Sequence, residues 1–567
     1  FLDTEAYIKG DDVQEHTFRL AVVCYNDSYY RFNDLDELWK FIFSKVRQKK
    51  KLYVFAHNMH YDFFIIKAFD YLKANGYVIK SMLVDDHIFV VKARRHVKVN
   101  EASVGNSIIF IDTMNIFPFS VEFLGEYFGV PKVKVNFKRV SDEKLFQRCE
   151  NDVKVIKYAI ESLFDFIKKE QLGSFKPTIG ALSFSFFRHK FMRNKIYIHK
   201  DQEATDIEMD SLKGGRCEAF YLGEAEGDFY KLDVNSLYPK VMRDNYYPVK
   251  LEGIVHNVDD AYLQQLEKEG YLVIAEALVI TEKPCVGIKV NGKLIFPVGR
   301  FVGTFTSPEL KLIRENGSVV KVFRATYYKK GKIFTKFVDY FYRKRLRFKR
   351  NGEKLFELFT KLIMNSLWGK FAQRTTVVEK ALTVDDPKLI GRYIAVDEDG
   401  HDSVVYFING EMYEAEKDAL ANDTFVAIAS FVTAYGRCYL WRLMEQAGWE
   451  NVYYVDTDCL IVNERGYMNL FHLVDEDKLG YLKVEGVAKY INIRGQKNYD
   501  FGEKRVIAGI KKDACITNGV AEQYVFYRAK ELLRRGVTDK VIVEKRIVRI
   551  NEPTISGFVK PPKIWIR

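Results

Sequence analysis

The sequence lacks several features that would assign it to a membrane, secreted or repeat protein. No apolar run approaches the length of a membrane span, and the longest candidate, residues 271–280, is typical of a buried strand. We expect no signal peptide. The seven cysteines show neither a C-x-x-C pair nor zinc-type spacing, which favours a reducing, intracellular setting. Internal repeats and low-complexity tracts are also lacking.

What the chain does contain indicates a large globular protein. Its 567 residues exceed the usual size of one domain, so we expect three or more packed units. A hydrophobic content of 48% excludes a disordered protein. The formal charge of +12 favours a polyanionic partner, through neutralisation of phosphates. Because the chain opens at Phe1 rather than Met, we expect a fragment or a trimmed chain.

Residue patterns suggest how the chain is organised. Up to about residue 170, helical patterns alternate with strand-like runs, as in an α/β nuclease-like domain; the runs are 18–24, 52–55, 87–92 and 108–111. Residues 335–373 hold two helical patterns separated by Asn351-Gly352, which predicts a basic antiparallel helix hairpin. The remaining patterns predict a strand at 228–234, hairpins over 374–423 with turns near 397–400 and 409–410, a helix over 424–447, and a strand at 452–455.

The strongest local signal is the run YVDTD at 454–458, flanked by apolar residues. In an extended chain, residues i and i+2 face the same way, so Asp456 and Asp458 can present two carboxylates to one site. Hard divalent cations would offset their repulsion. The alternative is two solvated acids at the tip of a hairpin.

A second signal is the run DFYKLDVNSLYP at 228–239, in which Asp233 ends an apolar strand and the chain then turns away. A carboxylate followed by exposed backbone N–H groups suits a metal-bound triphosphate, because amides can hydrogen-bond phosphate oxygens. The alternative is an ordinary strand-to-helix turn with a capping Asp.

The third signal, KLIMNSLWG at 361–369, lies on the second helix of the basic hairpin. Lys361, Asn365 and Trp368 follow the i, i+4, i+7 rule, so a cation, an amide and an aromatic ring would share one face. The alternative for Lys361 is a solvated surface lysine.

Taken together, the three runs resemble the D-x-x-S-L-Y-P, K-x-x-x-N-S-x-Y-G and Y-x-D-T-D motifs of the family B DNA polymerases, in the same order. Further features resemble the protein-primed branch of bacteriophages, adenoviruses and linear plasmids. Gly214-Gly215 lies where that branch has a Y-x-G-G motif, and 497–499 matches its K-x-Y motif. The gaps between motifs are also large enough for the two insertions of that branch.

The resemblance implies a role for each matching residue of the polymerase site. Asp233, the backbone of Val234 and Asp458 would hold two Mg²⁺ ions, for which Mn²⁺ can substitute, and Asp456 would assist. Tyr238 would stack beneath the incoming sugar and exclude a 2′-hydroxyl. The implied contacts to nucleotide are Ser236, Leu237, Tyr238, Lys349, Lys361, Asn365 and Trp368, and those to DNA are Gly214, Gly215, Lys497 and Tyr499.

A second set of acids matches the family's proofreading motifs, with Asp3 and Glu5 in an apparent strand, Asp62 closing 58–62, and Asp152 opening an amphipathic helix. If they converge, they could bind two metal ions and activate water for phosphodiester hydrolysis. Without the resemblance, scattered surface acids would be the preferred interpretation. The resemblance further implies DNA contacts from Asn58, Tyr61, Thr113 and Lys134.

Three residues depart from the family's motifs, each at a position where a Tyr is usual. Trp368 replaces the tyrosine of the helix motif, so the motif does not determine the shape of the nucleotide pocket. Leu212 replaces the tyrosine of Y-x-G-G. Arg148 lies four residues before Asp152, so that proofreading is expected to be slower or to use another residue to position the water.

The resemblance implies an α+β multidomain fold, a right-hand polymerase with an N-terminal α/β ribonuclease-H-like 3′-5′ exonuclease domain. The expected segments are exonuclease 1–185, linker and start of palm 186–244, palm and first inserted terminal-protein-type region 245–334, fingers 335–373, second inserted region 374–423, palm 424–490 and thumb 491–567. Expected partners are primer-template DNA, deoxynucleoside triphosphates and a terminal protein primer. A monomer in the cytoplasm of a host cell, or in an organelle for a linear plasmid, without a membrane partner, is also expected.

Three alternatives stay open at this point. A family B polymerase could start chains without a protein primer, since insertions do not reveal what supplies the first hydroxyl. A nucleic-acid-binding relative could keep the fold but not the chemistry, although the intact acids argue against it. A pure nuclease would leave the Lys361 helix and the Asp233 turn unexplained.

Overall fold

The chain folds into two units, each assembled from separate stretches of sequence. The first comprises Phe1–Ser185, Arg374–Ala421 and Asp513–Val548, and the second comprises Phe186–Gln373, Asn422–Lys512 and Arg549–Arg567. The computed structural model describes residues 1–85, 87–99, 102–136, 139–193, 195–375, 378–384, 389–396, 402–408, 410–415, 419–421, 424–550, 552–553 and 555–566.

The strands, in chain order, are β1 Leu2–Lys9, β2 Val13–Tyr25, β3 Ser28–Phe32, β4 Lys51–Ala56, β5 Val78–Val84, β6 Phe89–Val99, β7 Ala102–Asp112, β8 Cys217–Ala219, β9 Tyr221–Val234, β10 Tyr247–His256, β11 Leu272–Thr281, β12 Ile288–Val290, β13 Lys293–Ile295, β14 Val298–Thr306, β15 Gly317–Gly331, β16 Arg374–Thr375, β17 Val378–Thr383, β18 Gly391–Val396, β19 Asp402–Ile408, β20 Glu411–Ala415, β21 Ala419–Leu420, β22 Val452–Asp456, β23 Cys459–Asn463, β24 Leu482–Gly495, β25 Asn498–Phe501, β26 Lys504–Ile507, β27 Cys515–Thr517, β28 Val520–Phe526, β29 Val541–Arg549, β30 Gly557–Phe558 and β31 Lys563–Trp565.

The α-helices are α1 Leu35–Ser44, α2 Met59–Ile65, α3 Ala68–Ala74, α4 Val121–Phe128, α5 Asp142–Lys169, α6 Ile179–Phe186, α7 Gln202–Ser211, α8 Leu237–Asp244, α9 Asp260–Lys268, α10 Ser307–Glu315, α11 Thr335–Arg350, α12 Lys354–Ser366, α13 Val426–Ala447, α14 Glu464–Leu470 and α15 Ala529–Arg534. No helix within the described ranges combines the length and apolar character needed to cross a membrane.

The first unit is built on two large sheets, beside the short pair β16-β21. One has the strand order β1-β2-β29-β28-β27, with β3 paired to β2, and the other has the order β18-β19-β20-β17-β5-β6-β7-β4. β4 and β7 run parallel, whereas β5, β6 and β7 are antiparallel neighbours. Aromatic residues pack the core beside these sheets, including Trp39, Phe63 and Phe110, which are almost fully buried.

The second unit is also built on two large sheets. One has the order β10-β15-β11-β14-β31, and the other has the order β26-β25-β24-β9-β23-β22-β8, with β30 paired to β9. α13 is buried on most of its surface, as its apolar sequence requires. The central strand β9 carries Asp233 near its end, and this position determines the site described below.

The main elements predicted from sequence are confirmed. The strand predicted at 271–280 is the buried β11, and the basic hairpin is α11 and α12, with Gly352 at a φ of 73° in the turn. Of the turns predicted within 374–423, residues 397–400 and Asn409 lie outside the described residues. One boundary was wrong, because Asp152 does not open a helix. α5 begins at Asp142, where the Ser141 side chain caps it, so Asp152 lies in the helix interior.

Candidate active sites

Two acidic residues meet at one end of the second unit's β9 sheet. β9 pairs antiparallel with β23, and Cys459 lies opposite Asp233. The N–H of Val234 donates a hydrogen bond of 2.7 Å to the backbone oxygen of Asp458. The carboxylates of Asp233 and Asp458, which the sequence assigns to motifs more than two hundred residues apart, are therefore brought together.

The turn between β22 and β23 holds Asp456 and Asp458 in a strained conformation. Thr457 has a φ of 59°, which is rare for a β-branched residue. Its N–H donates to the Arg216 oxygen at 2.7 Å, and the Asp458 N–H donates to the Asp456 oxygen at 2.7 Å. The direction of both carboxylates therefore depends on the backbone at Arg216.

The electrostatics of this site favour a bound cation. Burial, together with the charges of Asp458 and Glu485, raises the pKa of Asp233 to about 7. Burial raises the pKa of Asp458 to about 6, against the opposing charge of Lys361. Crowded carboxylate oxygens are the donors that hard divalent cations prefer, so the residues present fit such an ion. Glu485 was missed from sequence because it lies in a bulge of β24, outside any motif.

The predicted nucleotide face of α12 lies toward these acids. The charge of Lys361 opposes the rise that burial causes in the pKa of both Asp233 and Asp458. Asn365 is half-buried on the last turn of α12, and Trp368 begins the 3₁₀ turn that follows. The Trp368 ring lies 5.1 Å from the Tyr238 ring, centroid to centroid, at 46°. The structure therefore joins the second and third sequence motifs through an aromatic contact.

The start of α8 is fixed by a basic residue that the sequence did not single out. Ser236 has a φ of 56°, and the buried Leu237 begins the helix. The Arg345 Nη1 group donates to Ser236 Oγ at 2.8 Å. Arg345 was missed because α11 is rich in Lys and Arg, so no pattern distinguishes one of them. Lys349, one turn further along α11, pairs with the Asp477 carboxylate.

The predicted primer contacts lie on the Asp456 side of the site. The Lys497 N–H donates to the Tyr454 hydroxyl at 2.9 Å, and its Nζ lies 3.9 Å from Asp456 Oδ2. The Tyr499 ring lies 4.9 Å from the Tyr454 ring. Both residues are thus positioned by the YVDTD segment itself.

A buried charged network supports the Gly-Gly segment. Arg437 Nη1 donates to the backbone oxygens of Lys213 and Gly214, each at 2.9 Å, while its Nη2 donates to Glu309 at 2.8 Å. The Lys213 ammonium lies 3.6 Å from the same carboxylate. These three side chains are at most 3% exposed. Sequence gives no signal for the network, because its members come from distant segments.

A second group of acids lies in the first unit. β1 carries Asp3 and Glu5, and α5 contributes Cys149, whose sulfur lies with the two carboxylates inside a span of 4.8 Å. Asp152 lies on the same buried side of α5, although most of its neighbours there are apolar. The carboxylates provide hard donors, so this group also fits a divalent cation.

Asp62 completes this second group. The Thr4 hydroxyl donates to Asp62 Oδ1 at 2.7 Å, and burial raises the pKa of Asp62 to about 8. Burial also raises the pKa of Asp3 well above its ordinary value, assisted by the charges of Asp152, Asp62 and Glu5. The four acids predicted from sequence therefore converge, which the scattered-surface interpretation does not account for.

Two cations act on one side of this group. Arg148 Nε donates to Glu5 Oε1 at 2.7 Å. Burial raises the pKa of Asp152, against the opposing charges of Lys132 and Arg148. The sequence predicted Lys134 as the phosphate contact, but Lys134 is exposed, and Lys132 is the lysine whose charge reaches the acids.

The remaining predicted DNA contacts differ in accessibility. Tyr61 is half-buried, and its hydroxyl lies 2.9 Å from His16 Nδ1. Asn58 is half-buried at a φ of 76°, and its N–H donates to Asp112 at 2.9 Å. Thr113 is buried, and its hydroxyl donates to the last carbonyl of β4 at 3.1 Å. The side chains of Asn58 and Tyr61 are therefore the more accessible to a strand.

Comparison with known proteins agrees with this geometry. The chain is similar to the DNA-directed DNA polymerase of Enterobacteria phage PRD1, with 27% identity over 288 residues. The matched region covers 50% of this chain and 48% of that protein. The chain thus spans about half the length of this relative. It is 22% identical to the DNA polymerase of Bacillus phage M2 over 546 residues, covering 88% of this chain and 86% of that one.

The fold has a solved counterpart. The structure of phi29 DNA polymerase, complexed with primer-template DNA and incoming nucleotide substrates, matches with a TM-score of 0.71 at 17% identity, covering 97% of this chain and 99% of that one. The fold class predicted from sequence is thereby confirmed. Residues 138–447, more than half of the chain, match the family described as DNA polymerase type B, organellar and viral. The protein therefore belongs to the organellar and viral type B DNA polymerases.

Proposed function

We propose that this protein is a template-directed DNA polymerase that also removes nucleotides from the 3′ end of a DNA strand. The observation that carries the proposal is the 2.7 Å hydrogen bond from Val234 N–H to the Asp458 oxygen, because it joins the two strands that bear Asp233 and Asp458. A protein that only bound nucleic acid would have no need to bury two mutually repelling carboxylates.

At the polymerase site, Asp233, Asp458 and the Val234 carbonyl would hold two Mg²⁺ ions, with Mn²⁺ as a substitute. When bound, the ions lower the cost of charge on the attacking 3′ oxygen and the leaving pyrophosphate. Lys361 would meet the triphosphate. Arg345 fixes Ser236 at the start of α8, and the first N–H groups of this helix would donate to phosphate oxygens of the nucleotide.

Selection of the sugar rests on a packed aromatic residue. Tyr238 is held between the Trp368 ring and Gly436, where a β-carbon would lie 3.2 Å from Tyr238 Cε1. Burial raises the pKa of Tyr238 to about 12, so its hydroxyl stays protonated at neutral pH. A rigid ring at this position would exclude a 2′-hydroxyl and favour deoxynucleotides.

At the exonuclease site, Asp3, Glu5, Asp62 and Asp152 would hold divalent cations that activate water and offset the charge of the scissile phosphate. Asn58 and Tyr61 would bind the frayed strand by amide contact and stacking. Lys132, whose charge reaches Asp152 and Glu5, would add to the positive potential around the phosphate.

For partners, we propose primer-template DNA, deoxynucleoside triphosphates and a terminal protein that supplies the first hydroxyl to a monomeric, intracellular enzyme. Support for the terminal protein comes from the match to the M2 and phi29 polymerases, which covers 88% and 97% of the chain. Initiation from a nucleic-acid primer alone is the competing candidate.

The two activities can be tested by primer extension and 3′-end degradation on labelled DNA with Mg²⁺. Asp456→Asn should lower nucleotide addition by about a hundredfold or more while sparing degradation, because the two sets of acids are separate. Asp3→Ala with Glu5→Ala should do the reverse. Loss of both activities in either folded variant would contradict the assignment. Incubation with a candidate terminal protein and one labelled nucleotide tests priming, since a covalent protein–nucleotide product is expected.

A further inference from the structure

Arg148 occupies an unusual position for a cationic side chain. It lies on α5, one turn before Asp152. Its Nε donates to Glu5 Oε1 at 2.7 Å, and its Nη1 donates to the Val133 oxygen at 3.1 Å. The Arg148 and Glu5 side chains are only 16% and 12% exposed. Because two hydrogen bonds fix the guanidinium in a poorly hydrated site, the ion pair is screened little by solvent or salt.

The positive charge acts on one half of the centre. The Glu5 carboxylate accepts a hydrogen bond from the charged Arg148 guanidinium at 2.7 Å. By contrast, Asp62 accepts a hydrogen bond at 2.7 Å from the neutral Thr4 hydroxyl, and Asp3 lies beside the Cys149 thiol. The negative charge of Glu5 is thus already compensated by the Arg148 guanidinium, whereas the contacts of Asp3 and Asp62 described above are to neutral groups.

We propose that the Arg148 guanidinium takes the place of one divalent cation at the Glu5 side, so that the exonuclease centre binds a single divalent cation tightly, at the Asp3–Asp62 side. This inference rests on the proposed exonuclease function. A guanidinium stays charged at every physiological pH. A cation entering beside Glu5 would have to displace a hydrogen-bonded ion pair and would be repelled by the displaced arginine.

Arg148 is in this view a positioning residue. It holds the Glu5 carboxylate and supplies fixed positive charge beside the phosphate without consuming a free cation. The tyrosine that the family usually has four residues before its last Asp carries no such charge, so a polymerase with tyrosine would leave both cation positions open. The replacement therefore changes the cation stoichiometry of the centre.

The test counts bound Mn²⁺ by electron paramagnetic resonance in protein that carries Asp233→Asn and Asp458→Asn, so that the polymerase site does not contribute. In this background we expect one tightly bound Mn²⁺. Arg148→Gln should bind two, with the second at least about tenfold tighter than any second ion in the parent. Arg148→Tyr provides a second variant, in case the amide fails to fold. Arg31→Gln is the matched control, because Arg31 also pairs with acids of α5, at Glu143 and Glu150, but in an exposed position.

The possible outcomes are distinguishable. Equal stoichiometry and affinity in the parent, Arg148→Gln and Arg148→Tyr would overturn the inference and leave the exonuclease assignment intact. If Asp3→Ala in the same background retains all of the Mn²⁺, the proposed exonuclease centre itself is wrong. One ion in the parent and the Arg31→Gln control, two in the Arg148 variants and none in Asp3→Ala would support both.

Discussion

Gly215 lies directly against the side chain of Thr457, the residue between Asp456 and Asp458. A β-carbon at position 215 would lie 2.7 Å from Thr457 Oγ1 and 2.8 Å from its Cγ2. These separations are shorter than van der Waals contact, so only glycine fits without moving the turn. The Gly-Gly segment therefore has a physical role in the proposed polymerase site, independent of any contact to DNA.

This contact predicts a selective defect. Gly215→Ala should displace Thr457 and lower nucleotide addition by about tenfold or more, while 3′-end degradation is retained. Thr457→Gly in the same chain should restore addition in part, since it removes the clashing atoms and suits the φ of 59°. Gly214→Ala is the control, because a β-carbon there would meet nothing within 4 Å. Equal defects at Gly214 and Gly215 would argue against the contact as the cause.

The buried network beneath this segment leads to a stability prediction. Although burial opposes ionisation, Lys213 and Arg437 lower the pKa of Glu309 to about 2. Glu309→Gln would leave two buried cations without a counter-charge, so we expect a loss of about 3–5 kcal/mol in the free energy of unfolding. Urea denaturation monitored by tryptophan fluorescence gives the value.

A matched control for this change lies on the same helix, α10. Glu315 pairs with Arg442 at the surface, where the two side chains are 37% and 46% exposed. Glu315→Gln should therefore change stability by no more than about 1 kcal/mol. Similar losses for Glu309→Gln and Glu315→Gln would contradict the role assigned to the buried network.

Sequence predicted the acids of both sites because short motifs fix their spacing. The i, i+2 argument assumed an extended strand, but Asp456 and Asp458 lie on either side of a turn in which Thr457 has a φ of 59°. The match of three ordered motifs is therefore what joins them to Asp233. The residues that hold these acids were not predictable in this way. Arg345 acts on Ser236 and Arg437 acts on Gly214 across long sequence separations, and such contacts leave no local pattern.

The proposed exonuclease centre illustrates the same limit. Sequence identified Arg148 as a departure from the family's motif, but only the packing of α5 against β1 reveals its ion pair with Glu5. Whether Lys132 or Lys134 reaches the acids depends on the path of the irregular segment before α5, and no sequence periodicity specifies that path. Likewise, the grouping of Arg374–Ala421 and Asp513–Val548 with Phe1–Ser185 depends on non-local contacts that sequence order does not convey.

Sugar selection at Tyr238 can be tested by substitution. Tyr238→Ala should raise ribonucleotide use relative to deoxynucleotide use by about tenfold or more, because the ring that contacts Trp368 is removed. Tyr238→Phe keeps the ring and should keep the preference. Competition between deoxy- and ribonucleotides in primer extension measures the ratio. An unchanged ratio in Tyr238→Ala would show that another residue selects the sugar.

The raised pKa of Asp62 predicts how stability without metal depends on pH. In the folded protein burial raises this pKa to about 8, whereas the unfolded chain should have a value near the ordinary one of about 3.9. Between these values the folded state binds more protons, so the contribution of Asp62 to stability is greatest at low pH and is lost as pH rises through about 8. Asp62→Asn cannot ionise and should therefore gain stability relative to the parent between pH 6 and pH 8.5, in denaturation midpoints measured with EDTA.

Adding Mg²⁺ at pH 8.5 should stabilise the parent more than the variant, because the ion compensates the Asp62 carboxylate. Parallel pH profiles for the two proteins would mean that Asp62 is ionised at little cost, in which case the crowding of acids around it could not be the basis of cation binding.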